Sequence, residues 1–214
     1  MNIVVFAASG NIGRRILREA LGRGHVVTAV VRNPAKLTIY DAHLMVEKGD
    51  VLKEEDVVLF AAGNDVAVSA YGPGLGDPAD YPLFSRVTLS LIKGTKDAGV
   101  SRFINVGGAG SLFISPGVQL VDSPEFPEEL RAYASAQRET LRLFENEKEL
   151  EWTFFCPAIL TEPGLRTAKF RLGKDEPVFD SSGESRISME DYAVALVDEI
   201  EHPHFVRKRF TIGY

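Results

Sequence analysis

The residues of this chain that could do chemistry are few, and the densest group of them comes first. Ser9-Gly10-Asn11-Ile12-Gly13 lies between an apolar run, Ile3–Phe6, and a segment whose apolar residues Ile12, Ile16, Leu17, Ala20 and Leu21 fall on one helical face. A strand, a glycine-bearing turn and a helix in that order make an anion site. The first amides of a helix have no intrahelical acceptor and carry the positive end of its dipole, so they suit a pyrophosphate. Gly10 lets the backbone approach the phosphates, and Gly13 lets the helix pack closely on the sheet. Ala7 stands where the usual dinucleotide turn has its first glycine, and an alanine serves there with a negative φ. The bland alternative is a plain tight turn between the first strand and helix of any α/β domain.

Arg32 closes the next apolar run, His25–Val31, and lies 19 residues beyond Gly13. At that position an acidic residue binds the two ribose hydroxyls of NAD, whereas an arginine accommodates the 2′-phosphate of NADP. The guanidinium is shaped for bidentate phosphate contact. NADP(H) is therefore expected as the preferred cofactor, with NAD(H) as the other one such a site takes. The competing reading is a solvated arginine at a strand end. Asp50 follows the short run Leu44–Val46 and precedes Val51, a place that meets the adenine; capping of the helix opening near Lys53 is an equal alternative.

The elements that must position these groups alternate between strand and helix patterns. After the first helix, Gly22-Arg23-Gly24 stops the chain before the strand at His25–Val31. A helix is expected to end near Ala62, a fourth strand at Val66–Ala70, a helix at Leu83–Ala98 and a fifth strand at Arg102–Val106. A long helix over Glu128–Glu149 and a sixth strand over Glu151–Cys156 follow. Tyr71–Pro78 has strong turn chemistry and reads as a cofactor-covering loop or a bare surface turn. Phe113–Pro127, with three prolines, reads as irregular structure. Beyond Cys156, the pattern predicts Phe170–Leu172 and Pro177–Phe179 as extended pieces, a strand at Ser185–Ser188, a helix at Met189–Glu201 and a last strand at Arg209–Ile212. The expected architecture is α/β: a Rossmann-like, doubly wound parallel sheet with helices on both faces and a small C-terminal lobe on the substrate side. One domain spans 1–214, with a cofactor-binding core over about 1–158 and an elaboration over about 159–214.

Composition agrees with that class and excludes others. With 214 residues, 45% of them hydrophobic, the chain buries a full core. A net charge of −6 without a basic block argues against nucleic acid as a partner. The apolar start is too short for a signal peptide, and no stretch approaches the roughly 18–20 apolar residues that span a bilayer. Cys156 is the lone cysteine, which fits a reducing cytoplasm; four scattered histidines give no metal site.

Five stretches together resemble the NAD(P)H-binding group of atypical short-chain dehydrogenases/reductases: NADH-flavin reductases, NmrA-like proteins and biliverdin reductase B. They are Val5–Gly13, Val30–Pro34, Gly49–Val51, Gly107–Leu112 and Glu184–Ala193, so the resemblance runs over essentially the whole chain. It implies that Ala8, Ser9, Gly10, Asn11 and Ile12 hold the pyrophosphate, Arg32 the 2′-phosphate, and Asp50 with Val51 the adenine. Ala70, Tyr71, Gly72, Val106 and Gly107 would line the ribose and nicotinamide, with Pro157 and Ala158 beside them. The superfamily's reductases use Tyr-x-x-x-Lys, in which the lysine lowers the tyrosine pKa for proton donation. Here Tyr133 is followed by Gln137, so the phenol is expected to keep a pKa of about 10. Tyr133 and Ser111 remain the two catalytic candidates, the first against a packing role and the second as a substrate-side donor. Ile159 stands where biliverdin reductase B-like members have a histidine, so that role does not transfer.

Without a proton donor, the acceptor is expected to need little help. Hydride transfer from the nicotinamide to a flavin (FMN, FAD or riboflavin), a quinone or a similar conjugated molecule fits, with Phe113, Tyr133, Phe126, Leu120 and Phe170 as candidate walls and Cys156 as buried filler. Two alternatives stand beside it: a non-catalytic NADP(H)-binding redox sensor of NmrA-like type, and a ketone- or sugar-nucleotide-directed member that uses Tyr133 despite Gln137. The chain is expected to act as a monomer or homodimer on a small molecule, away from membranes. Arg32→Ala should weaken NADPH binding by tenfold or more while leaving NADH nearly untouched; equal losses in a fluorescence titration would mean that Arg32 reads no phosphate.

Overall fold

In the computed structural model, which describes residues 1–214, the alternation read from the sequence becomes one large sheet between two helical layers. The strands are β1 (Asn2–Phe6), β2 (Val26–Val31), β3 (Leu44–Lys48), β4 (Val66–Ser69), β5 (Arg102–Val106), β8 (Glu151–Cys156) and β12 (Lys208–Gly213), all parallel. An antiparallel edge strand, β10 (Arg171–Gly173), completes the order β10-β12-β8-β5-β4-β1-β2-β3. The order reverses between β1 and β4, and a ligand crevice opens at the carboxyl ends of strands at such a point.

Strand pleat divides the core. Ile3 and Val5 point to one face and pack with Ile16, Leu17 and Ala20 of α1 (Asn11–Gly22) and with Tyr192 and Leu196 of α5 (Met189–Glu201). Val4 and Phe6 point to the other and pack with Val57 of α2 (Glu54–Ala61), Leu91 of α3 (Leu83–Asp97) and Phe144 of α4 (Glu128–Asn146). Phe155 lies between Tyr192 and Phe210, with ring centroids 4.1 and 4.0 Å away, and the Tyr192 hydroxyl donates to the Phe155 carbonyl at 2.6 Å.

Several expectations change. The helix predicted through Glu149 ends at Asn146, because the Glu147 carboxylate turns back to accept the amides of Glu149 and Leu150. Phe113–Pro127 contains a short hairpin, β6 (Phe113–Ser115) with β7 (Val118–Gln119), turning at Gly117 with φ 77°. Pro177–Phe179 has no ladder partner. Of the C-terminal stretch, α5 and β12 belong to the main layers, while β9 (Leu160–Glu162) pairs with β11 (Arg186–Ser188) in a small separate ribbon.

The first turn departs from its expected conformation. Ala7 has φ 58°, in the left-handed region, not a negative φ. The turn closes through the Gly10 amide to the Ala7 carbonyl at 3.3 Å, and that closure needs the conformation glycine normally supplies. An alanine held there costs about 1–2 kcal/mol, which the buried strand and helix on either side offset. Gly13 is demanded more rigidly: a Cβ there would stand 2.8 Å from the Ala8 carbonyl oxygen and 2.9 Å from its Cα. Backbone cannot yield as a side chain can. Gly13→Ala should therefore lower unfolding stability by about 1–3 kcal/mol in denaturant titrations, and an unchanged midpoint would refute the close approach.

Candidate functional site

Helix α1 starts at Gly10 with no side-chain cap and no acidic residue in its first turn. The amides of Asn11, Ile12 and Gly13 have no acceptor in the chain. They stand at the crevice where strand order reverses, so an anion is the natural partner of this helix end. A Cβ on Gly10 would meet only the Ala7 carbonyl oxygen at an ordinary 3.6 Å. Nothing in the chain requires that glycine, and its bare face is a cradle open to a ligand.

A cleft of about 540 Å³ runs from this corner across the ends of β1, β2, β3 and β4. It brings together Ser9, Gly10, Arg32, Asp50, Val51, Ala70, Tyr71 and Gly72 from the sequence-derived set. Ala8 is buried beneath the turn, Ile12 packs on the core, and Asn11 is exposed at the helix start, so any part these three play in the corner is through backbone. Val106, Gly107, Pro157 and Ala158 lie at the ends of β5 and β8 and do not line this cleft; Gly107 donates its amide to the Phe155 carbonyl at 2.7 Å.

On the β2–β3 side, Arg32 is exposed at the cleft wall with no hydrogen bond or ion pair inside the chain. The sequence reading missed Lys36, which lines the same wall. Its signal was present: Asn33-Pro34 opens a single tight turn, Pro34–Lys36, in which the Asn33 side chain accepts the Ala35 amide, and that turn returns a second cation to the side of the first. Arg14 of α1 donates to the Lys36 carbonyl at 2.6 Å, while its buried Nε has no partner. Asp50 does not cap α2. Its Oδ1 accepts the Leu52 amide at 3.0 Å and its own amide donates to Asp56 at 2.8 Å, which leaves the carboxylate in the cleft wall. Two basic groups, Arg32 and Lys36, line a pocket with open helix amides, and that combination suits an anionic ligand.

The other end is aromatic. Tyr133 of α4 packs edge-on against Tyr81 and Phe84, with centroids 5.4 and 5.1 Å away, and Phe84 packs edge-on against Tyr71 at 6.0 Å. Tyr71 was expected to line the pocket, whereas Tyr81 and Phe84 were not anticipated; the signal was four aromatics in the stretches flanking Pro73–Pro78 and on the inner face of α4. The Tyr133 hydroxyl sits 3.0 Å from where a Gly72 Cβ would be. Burial pushes the Tyr133 phenol above its ordinary range rather than leaving it there, with the Tyr81 and Tyr71 phenols acting the same way and no cation opposing them. Tyr71 is raised by burial too, against the pull of Arg32.

Ser111 is not available as a donor to a substrate. It is 1% exposed, its hydroxyl donates to the Gly108 carbonyl at 3.0 Å, and Cys156 Sγ lies 3.3 Å away. The glycine-rich turn after β5 rolls it inward. Cys156 is fully buried, and burial pushes its thiol up to about 11, so it is inert filler. Of the other candidate walls, Phe113 lies under Arg209 and Phe126 under Arg131, Phe170 packs on the core, and Leu120 opens a turn beside Leu112.

No helix is long and apolar enough to cross a membrane, and no group of histidine, cysteine and carboxylate side chains could hold a metal ion. Comparison with known proteins agrees with the cleft. A family model described as NAD(P)H-binding matches residues 7–203. The chain is 39% identical over 215 residues to the uncharacterized protein YwnB of Bacillus subtilis, covering 99% of this chain and 98% of that one. A crystal structure of a candidate epimerase from Bacteroides thetaiotaomicron is 48% identical with a TM-score of 0.93, covering 100% of this chain and 96% of that one. A crystal structure of a candidate NADH-flavin reductase from Streptococcus pneumoniae is 34% identical with a TM-score of 0.87, covering 100% and 99%. With the cleft, the free helix amides and a match over nearly its whole length, the chain belongs to the NAD(P)H-binding family of Rossmann-fold proteins.

Proposed function

We propose that this protein is an NADPH-preferring oxidoreductase that passes hydride to a flavin, a quinone or a similar conjugated small molecule. The observation that carries the reading is the polarity of one crevice: unpaired cations and open helix amides at one end, and an aromatic wall with a phenol but no cation at the other. At the first end, the amides of Asn11, Ile12 and Gly13 bind the pyrophosphate, Arg32 and Lys36 hold the 2′-phosphate, and Asp50 faces the adenine. Bound there, the cofactor supplies a hydride from its nicotinamide ring. At the second end, the rings of Tyr71 and Tyr133, backed by the buried Phe84, exclude water and orient a flat acceptor, a contribution of several kcal/mol through proximity alone. Tyr133 stays protonated through neutral pH and has no group to shuttle its proton, so the acceptor collects its proton from water. The S. pneumoniae relative named for NADH-flavin reduction supports this acceptor class.

Purified protein should oxidise NADPH faster than NADH in the presence of FMN, riboflavin or a quinone. Because the Tyr133 phenol titrates above its ordinary value, the rate should show no limb from Tyr133 between about pH 6 and 9, and Tyr133→Phe should leave the shape of that profile unchanged. A loss of 10²-fold or more in Tyr133→Phe would favour a carbonyl reductase instead. Demonstrated NADPH binding with no turnover on any acceptor would make the protein a redox sensor.

A further inference from the structure

The face of α4 turned to the strand ends carries a second polar group that the reductase reading leaves without a task. Gln137 lies one turn beyond Tyr133, and its carboxamide is pressed on Gly108 so closely that a Cβ there would stand 2.1 Å from Oε1. Tyr133 makes the matching contact with Gly72. Two glycines, after β4 and after β5, form a floor without side chains beneath two side chains of one helix. Gln137 is half-buried, and its carboxamide makes no hydrogen bond within the chain; only its backbone carbonyl is engaged, by the Thr140 hydroxyl at 2.6 Å. Arg138, the adjacent cation, is committed to Asp122 at 2.7 and 2.8 Å.

The open amides of α1 and the cations near β2 fix the adenosine half of a dinucleotide on the β1–β3 side. Its other half runs over the ends of β4 and β5, beneath Tyr133 and Gln137. An unpartnered amide above that floor can donate to a carbonyl oxygen, but it has no titratable proton to give an alkoxide and no positive charge with which to depress a phenol's pKa as a lysine does. We infer that Gln137 is the hydrogen-bond donor to the hydride acceptor, and that the acceptor is a flat conjugated ring bearing a carbonyl oxygen at its edge, a quinone or an isoalloxazine, not an isolated ketone.

This inference rests on the reductase reading. For a quinone the balance is quinone, NADPH and one proton giving hydroquinone and NADP⁺. The hydride adds to a ring carbon, the displaced π electron pair comes to rest on the carbonyl oxygen that Gln137 holds, and water protonates that oxygen. Loss of the ring-carbon proton to water, with protonation of the second carbonyl oxygen, restores the aromatic ring.

Gln137→Met and Gln137→Glu both remove donation at similar volume. Each should raise the FMN dissociation constant, read by flavin fluorescence in the absence of reductant, by about tenfold, the loss of one hydrogen bond. Each should lower kcat/KM for menadione by a similar factor and leave NADPH affinity unchanged, which also reports that the variant is folded. Gln137→Lys, which restores a donor, should recover most of the menadione rate. Wild-type FMN binding and turnover in both Met and Glu variants would overturn the assignment of Gln137 alone. Losses that track a fall in NADPH affinity would overturn it as well, by making Gln137 a packing residue. A wild-type protein that binds NADPH and reduces nothing would remove the reductase reading itself, and this inference with it.

Discussion

The structure depends first on how near α1 comes to the turn that precedes it. A Cβ at Gly13 would overlap the Ala8 backbone, so the helix can approach only because that position is bare. The approach sets three open amides at the reversal point of the sheet, and it constrains Ala7 to a conformation that alanine disfavours. Local strain and an uncapped helix end in one short segment are costs to folding, and each is also a condition for holding an anion there. The stability comes from elsewhere, from the sheet's two packed faces, where Ile3, Val4, Val5 and Phe6 are all fully buried.

A second set of bare positions governs the opposite half of the crevice. Gly72 and Gly108 let α4 lower Tyr133 and Gln137 onto the strand ends, and Gly107 makes room for the Phe154 ring, 2.2 Å from where its Cβ would be. The two ends of the crevice therefore differ in their electrostatics for a structural reason. One is lined by a helix terminus and cations at strand ends; the other is closed by a helix flank with no cation on it. A charged dinucleotide is served by the first of those two ends.

Most of the fold was legible because the signals that carry it are local. Buried parallel strands read as apolar runs, α1 and α3 as 3.6-residue periodicity, and Gly24 and Gly99 as stops, each at positive φ. That Ser9, Gly10, Arg32 and Asp50 line one crevice was legible for the same reason, since each stands within a few residues of a strand end. What failed was information that depends on contacts distant in sequence. Whether Ser111 faced the crevice or the core rested on Cys156, 45 residues away, and on how the turn after β5 rolled. The aromatic wall joins residues from one long loop and two helices, and periodicity assigns none of them to a common place. Lys36 belongs to no strand or helix pattern, and only the tight turn Pro34–Lys36 returns it to the cleft.

The C-terminal segment Glu184–Ala193 shows how a family-like pattern can act through the scaffold. The Ser188 hydroxyl caps α5 by accepting the Asp191 amide at 2.9 Å and donates to the Leu165 carbonyl at 2.8 Å. The buried Asp191 carboxylate accepts the Thr167 and Ala168 amides at 2.7 and 2.8 Å and the Tyr214 hydroxyl at 3.0 Å. Glu190 accepts the Gly164 amide at 2.8 Å and pairs with Arg15 of α1 at 2.6 Å. The chain over residues 164–168, with Ala168 at φ 54°, is thereby fixed against the start of α5, and α5 in turn against α1. Charge-assisted bonds to backbone amides are among the stronger polar contacts, and a buried carboxylate is stable only when so surrounded. The start of α1 is thus held from both sides, by the Ala8 backbone against Gly13 on the sheet side and by Glu190 on Arg15 on the α5 side. The motif's acidic residues position the helix that offers the anion site without entering the crevice themselves.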